Sequence, residues 1–509
     1  NKMDMPDTNR EGILQSLKET FSDGIVDFGD TSLDSFTDEV AGTDDALMEQ
    51  YLGGEPLQEE DIKRAIKERK IFPVLFGSAL KLQGIERVLC VLEEYFSPRL
   101  PEEAFGAIAY KVSVDKQNNR LTHLKITGGT LHAKDPLGDE KANEIRIYSG
   151  EKFETVKEVP AGEVCTVTGL KDSRPGTVYG SCTTVFRPQM EPALIYAVHV
   201  PEGIAPSKML NILQTLEDEM PELKVRYKTE EKEFQVMLMG EVQTEVIKEM
   251  VMNRHHLEIN FGEGKIAYKE TIKGNVVGVG HYEPLKHYAE VHLLLRPLER
   301  NKGMVFRSNL PVNALDTNWQ RLILTHLEEK QHLGVLTGSP ITDIEISVLA
   351  GRAHLKHTEG GDFRQSTYRA IRQGLMKAES VLLEPFYRYE IVVPDDNVVR
   401  VMSDVERMHG TPTIVDNKAG FTTLTGRCPV STMKNYINDV RAFTRGQGTL
   451  SVLVEGYDLC HNSDEVIKEI GYHAEADLEN PASSVFCSHG AGFVVPWQEV
   501  DNYKHIQLK

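Results

Sequence analysis

A multidomain chain of mixed α/β and α+β architecture is what this sequence predicts, and three observations predict it. At 509 residues the chain is too long for one hydrophobic core, so about three to five domains are expected. Near residue 104 the hydrophobic period changes from helical to alternating. Further on, the order strand–helix–strand–strand–helix–strand occurs twice, which is the split βαβ pattern of a ferredoxin-like sandwich.

Taken in order, residues 1–100 read as the end of an α/β domain. IFPVLFGSAL is short and carries Val and Phe as a buried parallel strand does. IERVLCVLEEYF then repeats Ile85, Val88, Leu89, Leu92 and Phe96 at helical spacing before Pro98. The acidic stretch at 20–60 reads as a solvated insertion. Residues 101–195 alternate in GAIAYKVSV, RLTHLKITGGTL, EIRIYSG and AGEVCTVTGL, with turn residues between, and predict a small β-barrel. Residues 196–265 form the first sandwich and 384–456 the second. Between them, 266–383 is a separate α/β unit holding HYAEVHLLLRPL, ITDIEISVLAG and two long helices. Residues 457–509 are a mixed C-terminal extension.

The formal charge is −20, but it is unevenly spread. Residues 1–60 hold 16 acidic against 3 basic side chains. Residues 350–377 instead hold Arg352, Lys356, Arg364, Arg369, Arg372 and Lys377 against Glu359 and Asp362. Screening acts over about 8–10 Å, so local sign decides what a surface touches. An acidic protein can therefore carry a basic patch for RNA. No apolar run approaches the roughly 18–20 residues of a membrane span, and six scattered cysteines without a C-x-x-C pair point to reduced thiols in a cytoplasm.

The first four residues, Asn1-Lys2-Met3-Asp4, spell N-K-x-D, the pattern by which guanine is read. A carboxylate such as Asp4 accepts the N1–H and N2–H of guanine together. Adenine offers neither, which would leave a buried carboxylate unpaired. Asn1 would hold the loop and the Lys2 stem would cover the base. Ser78, Ala79 and Leu80, at the end of the apolar strand, would offer backbone N–H groups to the guanine O6. The 509 residues contain no G-x-x-x-x-G-K-[ST] loop for phosphates and Mg²⁺. Asp135-Pro136-Leu137-Gly138 spells D-x-x-G but reads as a turn.

The second candidate is AHLKHTEGGDFR. Gly360 and Gly361 permit a sharp loop, and Asp362 reads as the cap of the next helix with Gln365 three residues later. The candidate RNA-contacting set is Arg352, Lys356, His357, Thr358, Gly360, Gly361, Arg364 and Arg369, where arginine forks and backbone N–H groups suit phosphates. From residue types alone, a solvated basic helix face explains the pattern equally well. Cys460-His461 and Cys487-x-His489 offer borderline zinc ligands, but their spacing is tighter than structural zinc favours. Buried Cys and capping His are the preferred roles, and no metal is assigned.

NKMD, LFGSAL, KITGGTL, VPAGEVCTVTGLKD, MGEVQTEVI, AYKETI, LLEPFYRYEI and VRAFTRGQG, in this order, resemble the translational GTPases of the elongation factor G superfamily. GGDFR at 360–364 and the short acidic insertion are most similar to the tetracycline ribosomal protection proteins. The tip AHLKHTEGGDFR departs from their usual Ser-Pro-rich tip, and the C-terminal extension is longer than the translocase's. The resemblance implies that 1–100 is the C-terminal part of a P-loop-type GTPase domain, entered partway, and that the full-length parent uses GTP or GDP with Mg²⁺. It implies that this chain alone binds no cofactor and hydrolyses no GTP, with no catalytic residue among those present. It implies a cytoplasmic monomer whose partner is the ribosome, docking at the factor-binding site with the tip at small-subunit rRNA near the decoding region. A divergent translocase and a non-enzymatic ribosome-binding protein stay open beside the protection type.

Overall fold

Near the N-terminus, Ile25–Asp27 and Phe72–Val74 pair as short parallel strands. This is a computed structural model of the chain, and it describes all residues except 7, 97–102, 116, 118, 185–191, 202, 229–231, 309, 419, 508 and 509. The expected boundary at 100/101 lies outside the described residues. The chain divides into two compact units, Asn1–Val185 and Phe186–Lys509.

In the first unit the acidic stretch is more than a solvated insertion. Its helices Asp34–Ala41, Asp45–Leu52 and Glu59–Lys67 turn Phe36, Val40, Leu47 and Ile62 into one core with Val26, Phe28, Val91 and Tyr95. The acidic residues face water because only one face of each helix carries apolar side chains. A second correction concerns the helix Ile85–Tyr95. It buries Val91 and Tyr95, whereas Leu89 and Leu92 of the expected core face are 61% and 50% exposed.

The alternating region forms a six-stranded antiparallel sheet. Its order is Val178–Gly180, Gly106–Val114, Arg120–Gly128, Val164–Val167, Ile145–Ser149, Lys152–Val156. Among the described residues the two outer strands do not pair with each other, so the expected barrel is an open sheet. Two small ribbons bring Leu131, Leu137 and Val159 into its core with Leu124, Ile126 and Val167. Asp135–Gly138 lies in one of these ribbons, with Gly138 at φ 64°, a conformation that glycine adopts without steric cost.

The second unit contains both split βαβ sandwiches. The first sheet runs Arg226–Lys228, Glu233–Leu238, Leu194–His199, Asn260–Phe261; its first strand begins at Leu194, before the expected boundary at 196. The second runs Thr411–Lys418, Phe421–Pro429, Glu379–Pro394, with Thr449–Leu459 on the other side of Glu379–Pro394. Helices Pro206–Glu219 and Val398–Arg407 contribute Leu213 and Val401 to a single hydrophobic cluster that draws on both sandwiches. Lys269–Lys273, expected in the middle unit, pairs with Glu379–Leu383 in the second sandwich's sheet.

The middle sheet runs Met304–Ser308, Ile344–Ala353, Ala289–Pro297, Val276–Tyr282, and the C-terminal hairpin Ser484–Ser488/Ala491–Val495 extends it to six strands. The helix Gly360–Lys377, called here the tip helix, lies across this sheet. Its approach is close because Gly278 and Gly280 carry no Cβ: one on Gly280 would meet the Ser366 carbonyl oxygen at 1.9 Å. The C-terminal extension is fastened to the same helix. Arg372 donates to the carbonyls of Leu333 and Gly334 and to the Tyr472 hydroxyl. Gln373 donates to the Trp497 carbonyl, and Lys377 pairs with Asp501 at 2.7 Å. No helix among the described residues is long and apolar enough to cross a membrane.

Candidate functional site

In the first unit the structure brings the two expected purine-reading segments together. Asn1 Oδ1 accepts the Ala79 N–H at 3.0 Å, and the Met3 N–H donates to the Gly77 carbonyl at 3.2 Å. Asp4 lies 3.9 Å from the Lys81 ammonium. Lys2 sits at φ 64°, a left-handed turn that folds N-K-x-D back on itself. The donors are not arranged as expected, however. The Ser78 N–H is spent on the Gln83 carbonyl and the Ala79 N–H on Asn1. Ser78 is fully buried, while Leu80 is 89% exposed.

In the second unit the tip is built by two loops. Residues 354–359 join the strand Ile344–Ala353 to the tip helix, and residues 283–288 join the strands Val276–Tyr282 and Ala289–Pro297. Two hydrogen bonds lock the loops together: the Tyr288 N–H donates to the His357 carbonyl at 3.0 Å, and Thr358 Oγ1 donates to the Tyr288 carbonyl at 2.6 Å. The His354 and His357 rings stack at 4.6 Å. Sequence reasoning missed the second loop, which adds exposed Leu285 and Lys286. Its signal was EPLKHY, a turn between two strands of alternating period.

The helix cap is displaced from expectation. Glu359 is the N-cap, and Asp362 at the third helical position closes a capping box back to it. The helix therefore starts at Gly360, and Asp362 also lies 2.9 Å from His287 Nδ1 on the other loop. Arg352, Lys356 and His357 are exposed, and Thr358 is half-buried. Arg364 is exposed but paired with Glu329 at 3.0 Å. Glu329 is held below the usual carboxylate range, chiefly by the Tyr368 hydroxyl. Arg369 is turned away from this set. It bonds Gln365 and lies 5.2 Å from the Tyr282 ring centre, and burial lowers its pKa.

Behind the tip lies a buried carboxylate. Each oxygen of Glu290 accepts from one histidine and one main-chain amide: Oε2 from His281 Nδ1 at 2.7 Å and the His505 N–H at 2.9 Å, Oε1 from His292 Nε2 at 2.8 Å and the Ile506 N–H at 2.8 Å. Burial alone would raise the Glu290 carboxyl, but these four donors outweigh it and hold it well below the usual range. His281, Glu290 and His505 place possible ligand atoms within 4.8 Å of one another. With four donors already on its oxygens, Glu290 is satisfied without a cation. Cys460, His461, Cys487 and His489 form no such group among the described residues. His461 instead donates through its N–H and Nδ1 to buried Glu384.

By fold this is a multidomain α/β chain with open split βαβ sheets. That architecture is shared with a solved structure, described as the crystal structure of ttk003000868 from Thermus thermophilus, at a TM-score of 0.50 and 22% identity over 91% of this chain and 79% of that one. The similarity extends to named proteins. Residues 264–379 match the family Elongation factor G, domain IV, and residues 381–466 match Elongation factor G C-terminus. The chain is also 26% identical over 472 residues to Elongation factor G of Aquifex pyrophilus, covering 84% of this chain and 67% of that protein. Over these spans the chain is similar to elongation factor G, and the tip lies within the domain IV match.

Proposed function

We propose that the chain works as a ribosome-binding translation factor of the elongation factor G type, in a cytoplasm, with the two-loop tip touching small-subunit rRNA. The observation that carries this reading is the tip itself. Lys286, Lys356 and His357 are exposed on two loops hydrogen-bonded to each other and seated at the start of an 18-residue helix, with Arg352 exposed at the end of the adjoining strand. A rigid, positively charged projection suits the phosphates of structured RNA. Arg364 joins by exchanging Glu329 for phosphate, and Arg369 is left out. The finer reading is the tetracycline protection type, supported by GGDFR at the helix start; a translocase is the alternative. Expressing the protein in a sensitive bacterium tests the subtype: no growth advantage in tetracycline would remove it.

The activity we propose is ribosome-dependent GTP hydrolysis, with guanine read by Asp4. Because Ser78 and Ala79 have spent their amides, the guanine O6 would take the Leu80 N–H or displace Asn1 from Ala79.

Ribosome sedimentation across a salt series tests the tip. Lys356→Ala and Arg352→Ala are each expected to weaken binding and to reduce the slope of log affinity against log salt by about 1, as loss of one phosphate contact does. Arg364→Ala should change the slope less, since Glu329 already neutralises that charge. Unchanged slopes for Lys356→Ala and Arg352→Ala would return the segment to an ordinary solvated face.

A further inference from the structure

The last residues of the chain are far from the tip in sequence and touch its framework in space. The His505 and Ile506 amides close on Glu290 at 2.9 and 2.8 Å. The His505 ring is nearly parallel to Tyr288, 14° from coplanar with centres 5.8 Å apart, and its Nδ1 lies 3.1 Å from the Tyr288 hydroxyl. His281, stacked flat on Phe486 at 4.0 Å, presents its edge to His505 at 4.7 Å. Tyr288 is the residue whose main chain receives Thr358 and donates to His357. Its side chain is thus held by the C-terminus, with Arg352 also beside the hydroxyl, while its backbone holds the loop.

We infer that the segment around His505 is a strap that positions the 354–358 loop through Tyr288. This goes beyond the proposed function by giving the C-terminal extension a task, and it rests on that reading only for its effect on ribosome binding. His505 and Tyr288 are positioning residues: neither is placed against RNA. The path is short and directional. Glu290 fixes the strap, His505 fixes the Tyr288 ring, and the Tyr288 backbone fixes both ends of the His357-Thr358 turn. The loop's own hydrogen bonds and ring stack run among His354, Lys356, His357 and Thr358, and Leu355 is completely exposed. The tie to the neighbouring loop comes from Tyr288.

Amide hydrogen exchange on the full chain tests the strap without a ribosome. His505→Ala is expected to speed exchange at the His354, His357 and Thr358 amides by about tenfold, with the strand Ile344–Ala353 unchanged, because loop opening is a local event. Tyr288→Phe, which keeps the ring and deletes only the hydroxyl, should give a smaller rise at the same amides. His505→Asn should restore near-parent protection, since its amide can meet the Tyr288 hydroxyl as donor or acceptor. Unchanged loop exchange in both His505→Ala and Tyr288→Phe overturns the strap. So does a rise spread evenly over the sheet. Ribosome affinity is then read separately on His505→Ala and Lys356→Ala. If the strap variant frees the loop and both variants bind ribosomes as the parent does, the RNA-contact reading fails and the strap stands.

Discussion

Gly280→Ala is expected to destabilise the second unit by more than about 3 kcal/mol, the scale of severe overpacking. The added Cβ would lie 1.9 Å from the Ser366 carbonyl oxygen and 2.5 Å from the Ala370 nitrogen, and both are helix backbone. A side chain could rotate away, but these atoms move only if the tip helix lifts from the sheet. Lifting it would strip cover from Phe363, Ala370, Ile371 and Leu375, all buried in the same core. Gly278→Ala meets the Ala370 carbonyl at 2.0 Å and should behave alike. Gly361→Ala, with open space around its Cβ, is the control and should be neutral or slightly stabilising. Urea unfolding of the three variants checks this; a Gly280→Ala midpoint equal to the parent's would contradict the packing argument.

The second large effect is expected from Glu290→Ala, at about 3–5 kcal/mol, because it leaves two buried histidines and two partly buried amides without their shared acceptor. His281 and His292 are fully buried, so water cannot replace the carboxylate cheaply. The pH dependence has a definite sign. The folded carboxyl titrates below its unfolded value of about 4.3, so its contribution is present above that value and is lost as pH falls below it. The parent should therefore lose stability on acidification below about pH 4.3 more steeply than Glu290→Ala, which starts lower and lacks this titration. Parallel acid limbs in thermal melts at stepped pH would show that the carboxyl is not depressed. Release of residues 505–507 to a protease should accompany the variant at neutral pH.

Elements with a strong local period were legible before the structure. Both sandwiches, the alternating sheet and the tip helix follow from spacing that one face of a strand or helix imposes. What sequence hid was who meets whom. Arg364, Arg369 and Arg372 count as three charges in a row of letters, yet Glu329, Gln365 and the carbonyls of Leu333 and Gly334 engage them from elsewhere. Helical spacing also misjudged Leu89 and Leu92, because periodicity finds an apolar face without saying what covers it. The capping box was placed three residues late since Asp362 fits either role by composition, and only the Glu359 amide decides between them. The Glu290 cluster was invisible because its four donors lie at 281, 292, 505 and 506.

One seam in the chain has a mechanical corollary. The tip helix ends at Lys377 and the 16-residue strand of the last sandwich starts at Glu379, with Ala378 alone between them. At about 1.5 Å per helical residue and 3.3 Å per strand residue, these are rods of roughly 27 and 50 Å joined end to end. From Phe386 to Val392 the second is paired with neighbours on both flanks. A displacement of the tip helix is therefore passed to the last sandwich through a single residue, which couples the projection to its base.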